Sequence, residues 1–242
     1  MNSNKQSAIK EGKRKMTASK LIRWSGLSTM VAGIIFAGIQ PIHPPDVLAS
    51  VTTGTWAIIT SLKLAMCFFF LLGITGLYAR QVEESGRLGL VGYLLFSLCW
   101  ALQTGFVFAE PLILPVLATA APTFVESYLG VVNGAPGQMN IGALAPTYAV
   151  VGILYMLGGL VFGIAMFRAR VLPRWPAGLL AVVAVLTPAA ALLPHAIQRL
   201  AAVPMGIALA WLGYALWSER RAPAAKPAPC EESPLLSQPA AA

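Results

Sequence analysis

The chain has 242 residues, of which 57% are apolar and 11% charged, with a net charge of +8. Soluble domains carry about 25% charged residues, and a soluble core of this length has too little interior to hide so many apolar side chains, so an ordinary soluble domain is excluded and lipid is the expected solvent. The basic residues fall in short clusters between long uncharged runs, not on a patch or stripe, which argues against nucleic acid as a partner.

A helix needs roughly 20 mostly apolar residues to cross the hydrocarbon layer. On that length the sequence predicts spans near residues 24–42, 55–78, 88–109, 147–167, 175–194 and 200–217. The expected fold is therefore all-α, a bundle of six transmembrane helices over 24–217. Residues 1–23 read as a basic cytoplasmic segment whose lysines can lie against anionic lipid. Residues 218–242, rich in Pro, Ala and Ser and without periodicity, read as a disordered cytoplasmic tail.

Charge placement tests the span count. Lys5, Lys10, Lys13, Arg14, Lys15, Lys20 and Arg23 precede the first span; Arg80 and Arg87 follow the second. Arg168, Arg170 and Arg174 follow the fourth, and Arg220, Arg221 and Lys226 follow the sixth. Six spans bring these four groups, 15 of the 17 basic residues, to one side, which the positive-inside rule makes the cytoplasm, with both termini inside. Trp24, Tyr78, Trp175 and Trp217 fall at the same ends, where amphipathic rings prefer the headgroup region. A basic segment followed by an apolar run also suits a cleavable signal peptide, cut near Val47-Leu-Ala49. The basic run is too long and the apolar stretch too close to full span length, so an uncleaved span is expected.

The connection between the third and fourth spans, from Glu110 to Pro146, is far longer than most. It holds no Lys or Arg but carries Leu112, Ile113, Leu114, Val116, Leu117, Phe124, Tyr128 and Leu129. Such a segment is expected to form a short interfacial helix or a cap over the outer mouth of the bundle, either as a lid or as plain packing. Its flexible part is expected at Asn133-Gly-Ala-Pro-Gly137.

Small residues recur at intervals of four: Ser25, Thr29, Gly33 and Ala37 in the first span, Gly159 and Gly163 in the fourth, and Ala202, Gly206 and Ala210 in the sixth. They mark close helix packing, inside the bundle or against another subunit. Lys63 is the informative residue. It lies inside the second span, where an ionisable group is costly and by default functional, unless its stem snorkels outwards. Equal depth on antiparallel helices points to Gln103 as its partner, with Glu110 about two turns above.

His43, His195, Asp46, Glu126, Gln198 and Arg199 all fall at the outer face, and together they would form a polar vestibule over Lys63. The ligand-binding candidates are thus Lys63, Gln103, Glu110, His195 and Arg199. His43 sits in a proline-flanked loop and reads as an interfacial residue, so no metal or haem is expected from the two histidines. Cys67, Cys99 and Cys230 show no metal spacing. The chain has no His-Glu-x-x-His, no Gly-x-Ser-x-Gly, no Walker loop and no dinucleotide fingerprint, so no cofactor is expected and an enzyme is disfavoured.

The runs Gly73-Ile-Thr-Gly-Leu-Tyr-Ala-Arg-Gln81, Gly86-Arg-Leu-Gly-Leu-Val-Gly92 and Val171-Leu-Pro-Arg-Trp175 resemble a broad group of bacterial multi-pass membrane proteins catalogued as domains of unknown function. The resemblance spans most of residues 24–217. It implies a bacterial cytoplasmic membrane, and it brings no activity and no site residues. Three readings follow in order. The first is a binding or transport protein with an outward-facing polar pocket around Lys63, Gln103 and Glu110. The second is an accessory subunit whose small-residue stripes meet a membrane partner or a second copy. The third is a membrane redox protein or enzyme.

Overall fold

The computed structural model describes residues 17–135, 137–190 and 198–219, and among them there are helices and no strands. In chain order they are α1 (Ala18–Ile39), α2 (Leu48–Val51), α3 (Gly54–Arg80), α4 (Val82–Leu112), α5 (Leu114–Ala120), α6 (Pro122–Val132), α7 (Leu144–Ala169), α8 (Arg174–Ala190) and α9 (Val203–Ser218). Short 3-10 turns at Gln40–Ile42 and Leu200–Ala202 extend α1 and precede α9.

Helix starts follow from local chemistry. Thr17 and Thr53 cap α1 and α3, each hydroxyl accepting from the backbone N–H three residues on, Lys20 at 3.3 Å and Trp56 at 3.2 Å. The Thr17 cap begins α1 at Ala18, so residues 18–23 of the basic stretch are already helical. A hydropathy reading stops at Lys20 and Arg23, but a helix can continue past the apolar layer wherever its backbone stays satisfied. At the other end of this hairpin only Gln81 separates α3 from α4. Gly86 takes a φ of 54°, a left-handed conformation that suits glycine, and there α4 bends out of the turn.

Five stretches are long and apolar enough to cross a membrane: Ala18–Ile42, Gly54–Arg80, Val82–Leu112, Leu144–Ala169 and Leu200–Ser218. The chain is thus a multi-pass helical membrane protein. Over its described length α8 is apolar but shorter, at 17 residues. The expected tight hairpin after the fifth span falls largely on 191–197, outside the described residues.

Helices α1, α3, α4, α7, α8 and α9 form a closed ring. Each packs on the next, and α9 packs on α1. The small-residue stripes make these contacts possible. A Cβ on Gly33 would lie 2.5 Å from Ala210 N, one on Gly92 2.5 Å from Phe162 N, and one on Gly163 2.7 Å from Ala181 N. The α1 and α9 stripes, and the Gly159–Gly163 pair facing α8, are therefore spent inside the chain. The outward faces carry Ile58, Phe68, Leu72, Leu94, Leu98, Ile207 and Trp211, all exposed, which suits a lipid-facing surface.

The matched residues run in opposite order (Gly26 meets Trp217, Gly33 meets Ala210), so neighbouring helices are antiparallel and the bundle has two distinct ends. One end, the basic end, gathers Arg23, Arg80 and the arginines around 168–174. There Arg80 pairs with Glu219 at 2.5 and 2.7 Å, and Arg23 Nε donates to the Trp217 carbonyl at 2.9 Å. The other is the cap end, closed in part by α2, α5 and α6. These two halves have separate apolar cores, one through the ring around Phe70, Phe96 and Leu209, the other joining Trp56, Leu114, Val125 and Leu129 under the cap.

The close approach at Gly33 is a sharp test. Gly33→Ala drives a methyl group into backbone and should cost about 1–3 kcal/mol. Gly105→Ala meets nothing within 4 Å and should be neutral or stabilising by up to about 1 kcal/mol. Thermal unfolding followed in detergent compares them; equal midpoints for the two variants would contradict the packing described.

Candidate functional site

At the cap end the ring encloses a cavity of about 680 Å³. Every helix of the ring, or the turn that leads into it, contributes to the wall: Phe36 from α1, Lys63 from α3, Gln103 from α4, Tyr155 from α7, Thr187 from α8 and Arg199 before α9. Volumes of 300–1,000 Å³ are typical of small-molecule sites. Most of the wall is apolar or aromatic, and Trp100 lies at the centre of a ring cluster with Phe36, Phe70 and Phe96.

Polar chemistry is concentrated at one place. Lys63 faces the bundle, and its ammonium donates to both oxygens of Glu110, at 2.7 and 2.5 Å, with side-chain exposures of only 15% and 5%. Equal-depth reasoning had pointed to Gln103, and this is the correction the structure makes. The cause is the direction of side chains along a helix, which lean toward the N-terminus. The α3 N-terminus is at the cap end and the α4 N-terminus at the basic end. Lys63 therefore leans up toward the cap and Glu110 leans down, and together they close a gap of about 10 Å that seven residues would otherwise leave. Gln103 lines the cavity but makes no hydrogen bond to the pair.

His43 completes the cluster. The residue is half-buried with its side chain only 7% exposed, and its Nδ1–H donates to the Pro44 carbonyl at 2.6 Å, which leaves the Nε2 lone pair toward the Lys63 ammonium at 3.4 Å. Burial, and then the charge of Lys63, push the His43 pKa down to about 4, so the ring is neutral at pH 7. The sequence reading of His43 as an interfacial loop residue is thus revised. Pro44 and Pro45 turn the chain back over the bundle and carry the ring inward.

Arg199 then fastens this loop to the start of α9. Its guanidinium donates to the carbonyls of His43 and Pro44, at 3.3 and 3.2 Å, and to the Asp46 carboxylate. Asn133, at the end of α6, donates to the Asp46 carbonyl at 2.9 Å, which ties the cap to the same loop.

The long connection folds into α5 and α6, opened by Pro115 and Pro122 in their first turns, and packs as a cap at the rim. Tyr128 donates to the Phe106 carbonyl at 2.8 Å and Trp56 to the Glu110 carbonyl at 3.0 Å. These bonds serve carbonyls near the α4 end, where Pro111 takes an N–H out of the helix ladder.

Of the candidates taken from sequence, the structure brings Lys63, Gln103 and Arg199 to the wall of this cavity and Glu110 behind it, in contact with Lys63. His195 lies outside the described residues. Asp46 and Gln198, read as parts of the vestibule, line the cavity, whereas Glu126 is exposed on α6 and does not. Tyr148, Trp100 and Tyr155 escaped the sequence reading, because an aromatic residue in a span gives no sign of which way it faces. Among the described residues no three His, Cys, Asp or Glu side chains converge as a metal set.

This arrangement defines a polytopic helical membrane protein with a polar-headed cavity inside the ring. Comparison with known proteins gives no matching family model, no matching curated protein and no matching solved structure. The roles of these residues rest on their own geometry.

Breaking the ion pair gives a measurable signature. Glu110→Gln leaves Lys63 buried without its counter-charge and should cost about 3–5 kcal/mol, whereas Lys63→Met combined with Glu110→Leu should recover most of that. Unfolding in detergent of the single variants Lys63→Met and Glu110→Leu beside the double measures the coupling; a double replacement that falls by the sum of those two single losses would refute it.

Proposed function

We propose that this chain binds, and in the fuller reading transports, a small molecule through the cavity at its cap end. The single observation that supports this is the buried Lys63–Glu110 pair set beside an open cavity of about 680 Å³. A charge pair costs desolvation energy wherever it is buried, and ionisable groups inside a membrane domain mark binding sites and pathways by default. The small-residue stripes favour this reading over an accessory subunit, because the chain uses them for its own closure.

The same reading places six spans in a bacterial cytoplasmic membrane, with α8 continuing as the fifth span. The basic end and both termini face the cytoplasm, the N-terminal lysines lie on anionic lipid, and the cap faces outward. The sorting of basic residues and the end-to-end asymmetry of the ring support this orientation.

Two experiments test these proposals. Gly152 lies on the cavity wall with nothing within 4 Å of a built Cβ, so Gly152→Phe fills the cavity without a backbone clash. Native mass spectrometry of protein released from its own membranes should show a bound molecule in the wild type at several-fold higher occupancy than in Gly152→Phe. Equal spectra from the two would remove the pocket reading. For orientation, Cys67 and Cys99 are buried, so a membrane-impermeant maleimide should label Cys230 only after intact cells are opened; labelling from outside would reverse the topology.

A further inference from the structure

Among the described residues, the charges on the cavity wall and directly behind it balance. Lys63 and Arg199 carry positive charge, Glu110 and Asp46 negative, each cation in contact with one carboxylate, and His43 between them is neutral. A proton moving from Lys63 to Glu110 leaves the sum unchanged. A ligand with a charged head would therefore enter as an uncompensated charge in a largely apolar space, where burial of an isolated ion is far more costly than burial of a hydrogen-bonded neutral group.

Hydrogen-bonding capacity remains for such a neutral group. Three contacts use part of the five N–H donors of Arg199. The Gln103 amide and the Tyr148 hydroxyl line the cavity and make no hydrogen bond within the described residues. Around and below these polar groups the walls are Phe36, Met66, Trp100, Val107 and Met156, with room for a chain or ring system.

Gly152 and Ile153, adjacent residues of the cavity wall, are both exposed, Ile153 at 53%, which points to an opening on the flank of α7. Ile153 lies nine residues from the α7 start at Leu144, about 14 Å along the helix, level with the apolar belt and not with the cap.

On the reading that the cavity is a ligand site, we infer that its ligand is an uncharged amphiphile, with a head rich in carbonyl and hydroxyl groups and an apolar body, entering sideways from the bilayer. The head would accept from Arg199, Gln103 and Tyr148, and the body would lie against Trp100 and its aromatic neighbours.

The test varies head charge at constant chain length. Monodecanoylglycerol, decanoate and decylamine are titrated at pH 8 against the full chain in nanodiscs, with the ligand-induced shift in thermal unfolding as readout. The wild type should bind monodecanoylglycerol about tenfold or more tighter than either charged probe. That binding should disappear in Gly152→Phe and weaken about fivefold in Gln103→Leu. Decanoate or decylamine binding as tightly, in a Gly152-sensitive manner, overturns the uncharged head and leaves the pocket standing. No saturable binding of any probe, or binding indifferent to both substitutions, overturns the inference; the pocket itself is judged separately by the co-purified mass.

Discussion

The structure turns on one constraint: Lys63 and Glu110 must meet, because neither charge is tolerable alone inside an apolar ring. That pairing fixes the rotation of α3 against α4, since both side chains must point inward at levels their own lean allows. It also fixes what lies around it. His43 is held neutral beside the ammonium, and Trp56 reaches the backbone of Glu110, so the loop after α1 and the start of α3 are organised by the same pair. Arg199 and Asp46 then repeat the device one layer nearer the cap, joining the α1 loop to the start of α9.

The bundle solves two problems with different residues at its two ends. Through the middle and the basic half, glycines and alanines let antiparallel helices approach to backbone contact, which supplies packing where lipid offers no hydrophobic drive. Toward the cap end a cavity remains, with Phe36, Trp100 and Tyr155 on its wall, although Gly206 still meets Ala37 where α9 packs on α1. The cap helices cover part of it without filling it, because their apolar side chains are taken up by a second core with Trp56, Phe106 and Leu154. A space of this kind, apolar over most of its wall with paired charges at one place, is what the proposed ligand role rests on.

The sequence reading located the parts more securely than their partnerships. Five of the expected spans came out to within six residues at each end, since apolar length is a one-dimensional property. Lys63, Glu110 and Arg199 stood out because charge is rare in such a chain. The long apolar connection could be read as a cap because its composition is unsuited to water. The Lys63–Gln103 pairing failed because depth along the axis was counted at Cα, whereas side chains on antiparallel helices lean in opposite directions.

By itself, then, the sequence determined the class of protein, the approximate helices, the clustering of basic residues between apolar runs and the few residues able to carry charge inside. Each follows from composition and period along one chain. Only the tertiary structure decided that the stripes close a ring, that Glu110 and not Gln103 answers Lys63, and that His43 turns inward. It also decided that Tyr148, Trp100 and Tyr155 face a common space. Those facts depend on the rotation of each helix about its own axis, which is set by the sum of contacts with two neighbours and is written in no single segment.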